Sequence, residues 1–148
     1  MDCLGCRIVN RLEPHVHVVY ENDHVVCVLD IAPFNEGHTL ILTKKHFREL
    51  DEMDQKSLAA IMNASVTISK MLKRIYKPDG ITVCQNGGIF NDLTHYHMHV
   101  IPRFQGDGFR WSEPVMEHKA ETRLAETRNK FLEEMRRMRE VGEDSNPS

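Results

Sequence analysis

The sequence predicts an α+β fold: a five-stranded, mainly antiparallel sheet with one long helix and a second helix near the C-terminus. Three observations lead to it. Three short apolar runs follow one another in the first third, separated by turn residues rather than helix-length crossovers. One long stretch carries apolar residues at helical spacing. Two further apolar runs come after it, and a second helical pattern closes the chain.

The first strand is read at VHVVYEN, 16–22, ending in an Asn-Asp turn. VVCVLD, 25–30, is nearly all apolar and suits a buried strand. Pro33, Asn35 and Gly37 mark a connection, and HTLILTK, 38–44, is the third strand. Asp51 or Asp54 caps the long helix, in which Leu58, Ile61, Met62, Ile68, Leu72 and Ile75 recur up to Tyr76. Pro78 and Gly80 end it. GITVCQN, 80–86, is the fourth strand, a polar loop spans 87–94, and HYHMHVIPRF, 95–104, is the fifth. A helix is expected from about Glu117 to Glu140, with Leu124, Phe131, Leu132, Met135 and Met138 on one stripe.

The chain has 148 residues, the ordinary size of one globular domain. A single domain is expected over 1–141, with a disordered tail over 142–148. Net charge is −3 with both signs intermingled, so a duplex nucleic-acid partner is not expected, while a local anion site needs only a few placed groups. No apolar run approaches a membrane span and no signal-peptide pattern opens the chain, so no membrane partner is expected and the protein is assigned to the cytosol. The four cysteines are then expected unpaired, with Cys27 and Cys84 in apolar runs and Cys3 and Cys6 as a CxxC in a polar start.

The most informative stretch is His95-Tyr96-His97-Met98-His99-Val100-Ile101. Strand side chains alternate, so the three histidines share one face and the apolar residues between them share the other. Two chemistries suit such a row. Neutral imidazole is a nucleophile whose neighbours can donate protons to phosphate oxygens. It is also a common metal ligand, and three alternate histidines could converge on one catalytic zinc.

These residues, with LDIAPFNEGHTLILTKKH before them, resemble the histidine triad (HIT) family, most closely bacterial members of the dinucleoside polyphosphate hydrolase and Hint-like branches. The resemblance runs from Cys3 to about Trp111. It implies a homodimer and a nucleotide substrate, with adenosine nucleotides favoured. The implied reaction cleaves a nucleoside phosphoanhydride or phosphoramidate through a covalent nucleotidyl-histidine. His97 would be the nucleophile, His99 a donor to phosphate or leaving group, and His38 the fourth family histidine near the phosphates. Asp30 would accept from the ribose hydroxyls, Ile31 would flank the nucleoside, and Asn86 would reach the phosphates. The CxxC resembles that of relatives in which a structural Zn2+ takes Cys3, Cys6, His46 and His95.

The match fails in the loop before the triad. It reads NGGIFNDLT, one residue short, with Asn91 where the family has Gln and Asp92 where it has a short hydroxyl residue. A carboxylate beside a polyphosphate is repulsive. Three roles stay open for Asp92: proton donor, outward-pointing residue, or ligand of a nucleotide-borne divalent ion. The altered loop also leaves open a non-catalytic nucleotide-binding or scaffold protein.

Overall fold

A computed structural model describes residues 3–142 of the chain. They divide into two compact units, separated after Phe109. The first unit holds all five strands: β1 (Val18–Glu21), β2 (Val25–Leu29), β3 (Thr39–Thr43), β4 (Gly80–Cys84) and β5 (His97–Arg103). Their order across the sheet is β1-β2-β3-β5-β4, and every neighbouring pair is antiparallel. The predicted α+β class and five-stranded sheet are what the chain forms.

A short helix, α1 (Leu4–Val9), precedes the sheet, and α2 (Gln55–Tyr76) joins β3 to β4. The sequence reading missed α1, since six residues are too few to show a helical period. Asp54 caps α2, its carboxylate accepting from the Ser57 N–H at 2.8 Å. Lys77 ends α2 in the left-handed conformation ahead of Pro78.

Alternation along the strands gives the sheet two distinct faces. Val25, Cys27, Ile41, Met98 and Val100 pack with Ala60, Ile61, Ala64, Ile68 and Leu72 of α2 into the main core. Burial pushes the Cys27 thiol up to about 12, so this cysteine is an inert apolar filler. Cys84, although it too lies in an apolar run, is only half-buried. Val26, Val28, Leu40 and Leu42 form a smaller cluster on the opposite face with Val9 of α1. Leu40 pairs with His99 and Leu42 with His97, so those two histidines stand on the face opposite α2. On α2 itself, Met62 and Ile75 of the expected stripe are exposed, as is Val66.

The second unit contains a 3₁₀ turn (Ala120–Arg123) followed by α3 (Leu124–Val141), which starts later than the predicted Glu117. The side chains of Leu124, Phe131, Leu132 and Met135 are exposed. The tail expected to be disordered lies, beyond Gly142, outside the described residues.

Gly37 closes the turn from β2 into β3 at φ +95°, where a Cβ would stand 2.6 Å from the Tyr76 ring and 2.8 Å from a Leu72 methyl. Gly37→Ala is therefore expected to destabilise the fold by about 2 kcal/mol, read as a lower thermal midpoint. An unchanged midpoint would show that the end of α2 yields freely.

Candidate active site and metal centre

The triad histidines address three different partners rather than one ion. β5 begins at His97, two residues later than expected. Thr94 takes a positive φ of 51°, and the Tyr96 N–H donates to the Phe47 carbonyl at 2.7 Å, drawing residues 95 and 96 toward the segment after β3. The His95 ring accordingly faces away from the cavity. Its Nε2–H donates to the Thr43 carbonyl at 2.7 Å, leaving the Nδ1 lone pair directed at the cysteines.

His97 is buried, and its Nδ1–H donates to the His95 carbonyl at 2.9 Å. Nε2 therefore carries the lone pair. The Asp92 carboxylate lies 3.4 Å from that nitrogen, on an 85% exposed side chain. His99 is set by a second relay. The Phe34 N–H donates to His38 Nδ1 at 3.1 Å, so the proton of the neutral His38 ring sits on Nε2. That proton is donated to His99 Nδ1 at 2.9 Å, which leaves His99 with an Nε2–H. Burial pushes His99 down to about 4, helped by the neighbouring His97 and His38, and burial also lowers His38 against the pull of Asp30. Both rings are neutral at neutral pH.

The His38 loop is pinned from below. Asn35 Nδ2 donates to the Pro102 carbonyl at 2.8 Å and to Asp107 at 3.0 Å. The Arg103 guanidinium, itself lying 4.1 Å over the Phe109 ring, holds the Asp107 carboxyl well below the usual range.

Asp30, His38 and His99 offer ligand atoms close enough together for a metal ion. Yet the His38 nitrogen facing the other two carries a proton, and it has no lone pair to give. The second cluster is different in kind. Cys6 Sγ lies 3.3 Å from His46 Nδ1, Cys3 Sγ and Cys6 Sγ each lie 3.6 Å from His95 Nδ1, and the two Nδ1 atoms are 3.3 Å apart. Tetrahedral zinc with Zn–S of about 2.3 Å and Zn–N of about 2.05 Å requires S···N of about 3.6 Å and N···N of about 3.3 Å. Two thiols and two imidazoles, with the His95 tautomer already fixed by Thr43, fit that ion. Burial, then the adjacent Cys3, raises the Cys6 thiol above its ordinary range, a state that a cation would reverse. Gly5 makes the cluster sterically feasible, since a Cβ there would lie 2.3 Å from His95 Cβ.

A cavity of about 460 Å³ opens beside His97 and His99. Leu4, Ile8, Val16, Leu29, Ile31 and Leu93 supply apolar wall, and Asp30 and Asp92 sit in its lining. Ile31 is 89% exposed at this wall, a placement no core residue would have. Asp30 accepts from the Ala32 N–H at 2.8 Å through one carboxylate oxygen, while the other lies 3.5 Å from His38.

Three expected site residues do not line the cavity: His38, which stands behind His99, and Asn86 and Asn91. Asn86 is exposed beyond β4. Asn91 is buried, donates to the Arg48 and His95 carbonyls at 3.4 and 3.3 Å, and accepts from the Leu93 N–H at 3.1 Å. It braces the loop and the peptide that orients His97. Leu4, Ile8 and His15 were not foreseen in the cavity wall, because no local pattern ties the first sixteen residues to β5.

Known proteins carry the same organisation. The HIT domain description matches residues 11–106, more than half of the chain. An uncharacterized HIT-like protein of Methanocaldococcus jannaschii is 39% identical over 108 residues, 72% of this chain and 82% of the relative. The Arabidopsis thaliana protein named adenylylsulfatase HINT3 is 31% identical over 119 residues, 79% of this chain and 60% of that one. The crystal structure of a zinc-bound histidine triad family protein from Mycobacterium smegmatis superposes with a TM-score of 0.69 at 29% identity, covering 78% of this chain and 85% of that one. The match over residues 11–106, together with these relatives, places this chain in the HIT family.

Proposed function

We propose that the chain is a nucleotide hydrolase or transferase that cleaves a nucleoside phosphoanhydride or phosphoramidate and releases a nucleoside monophosphate. The observation that carries this reading is the His97 tautomer. Its Nδ1–H is held by the His95 carbonyl, so the Nε2 lone pair is presented at the cavity. Nε2 attacks phosphorus, the bond to the leaving group breaks, and the leaving atom accepts a hydrogen bond from the Nε2–H of His99 while taking its proton from water. Water then attacks the nucleotidyl-histidine, gives up its proton to solvent and restores His97. Asp30 accepts from the ribose hydroxyls, with Leu29 and Ile31 against the nucleoside. His38 keeps His99 in the donor tautomer, and Asn91 steadies the His95 peptide.

Cys3, Cys6, His46 and His95 would hold a structural Zn2+. The ion supplies a cross-link between α1, the segment after β3 and the residues entering β5. Exposed Met62 and Val66, one turn apart on α2, and the open edge of β4 support a homodimer. Among the described residues no helix is long and apolar enough to cross a membrane.

One observation favours a second reading. The Asp92 carboxylate already occupies the neighbourhood of the nucleophilic nitrogen, which suits a nucleotide-binding protein that does not turn over. Calorimetry with AMP, set beside turnover of a nucleotide panel, separates the two.

His97→Ala is expected to reduce turnover of adenosine phosphoramidate and diadenosine polyphosphates by at least about 10³-fold while AMP still binds. Acid-quenched mass spectrometry of the native chain should trap a nucleotidyl adduct on His97; retained activity in the variant rejects the nucleophile.

Elemental analysis is expected to find one zinc per chain, lost in Cys6→Ser. Chelation should lower the thermal midpoint by several degrees. Zinc-free protein with an unaltered midpoint and full activity would remove the structural role.

A further inference from the structure

The cavity beside the triad has a lopsided charge inventory. Glu13, Asp30 and Asp92 line it, and no Lys or Arg does so among the described residues. Two of the three carboxylates are already engaged. Glu13 is paired with Arg7, and Asp30 accepts from the Ala32 N–H. Asp92 is left facing the His97 nitrogen that bears the lone pair, at 3.4 Å. A phosphorus bonded to that nitrogen, and the leaving group in line behind it, fall within about 8 Å of the carboxylate, the Debye length at physiological ionic strength. Each negative charge on the departing group is therefore repelled, with no Lys or Arg in the lining to offset it.

Building on the hydrolase reading above, we propose that Asp92 is a specificity-determining residue that filters substrates by the charge of the leaving group. The site takes nucleotides whose α-phosphorus is bonded to an uncharged or cationic leaving group, such as an amine, and rejects polyanionic tails. For an amine the step balances with water alone. The P–N bond breaks, its electron pair stays on nitrogen, and that nitrogen, held by a hydrogen bond from the Nε2–H of His99, takes a proton from water and leaves as a neutral amine. A polyphosphate tail leaves with several negative charges still inside the field of Asp92. The neighbouring Asn91, buried and bonded to three backbone groups, holds the loop independently of Asp92, so substitution at 92 tests charge rather than loop integrity.

The test compares two substrates that share the adenylyl group: adenosine phosphoramidate and diadenosine tetraphosphate. In Asp92→Asn, the ratio of kcat/KM for the tetraphosphate to that for the phosphoramidate is expected to rise about tenfold over wild type. Asp92→Glu, which restores the charge, should return the ratio toward the wild-type value, and raising salt should narrow the gap between wild type and Asp92→Asn. A ratio within twofold of wild type in Asp92→Asn, or one that falls, overturns the filter while leaving the nucleophile assignment standing. Absence of turnover of both substrates by the wild-type protein instead overturns the hydrolase reading and the filter with it.

Discussion

A single hydrogen bond, from His97 Nδ1–H to the His95 carbonyl, ties the chemistry of this protein to its architecture. Because a carbonyl can only accept, the bond settles which imidazole nitrogen carries the proton and which is available. It also joins two sites that look separate. The residue supplying the carbonyl is the one whose ring enters the Cys3, Cys6 and His46 cluster. The same peptide receives the Asn91 side chain. Three constraints thus converge on one backbone oxygen, and the ring it orients lies between a packed strand face and a cavity.

The imidazoles work in an environment that disfavours charge. His38, His95 and His97 are buried, and desolvation is the largest influence on His38, His95 and His99. One nitrogen on each of His38, His95 and His97 is paired with a backbone group: the Phe34 N–H, the Thr43 carbonyl and the His95 carbonyl, respectively. Backbone partners leave little freedom for tautomer exchange, which suits a site whose donors and acceptors must be assigned before a ligand arrives. A row of histidines on a strand would otherwise be electrostatically ambiguous.

Much of this was legible in the residue order. Period-two alternation through 95–101 placed His97 and His99 opposite Met98 and Val100, and helical spacing placed Ile61, Ile68 and Leu72 on the buried stripe of α2. The CxxC and the two histidines were grouped by resemblance, and their donor atoms meet. The failures share one cause, which is that local pattern carries no information about long-range placement. His95 was read as part of the strand, yet Thr94 and Phe47 redirect it. Asn91 stands where the family has Gln, yet burial spends its amide on backbone carbonyls. The stripe on α3 obeys helical periodicity, but periodicity cannot say whether a neighbour covers it, and Phe131 and Leu132 are exposed.

The residues that could hold a metal ion come from three stretches widely separated along the chain, Cys3 being 92 residues from His95. No local segment can assemble the set, and closing so long a loop carries a substantial entropic penalty before any coordination bond rewards it. Capture of an ion there would have to wait until β3 and β5 have paired and α1 has docked. The cysteine-bearing start of the chain would be among the last parts to become ordered, and the ion would act as a clasp on a nearly finished molecule rather than as a seed for folding.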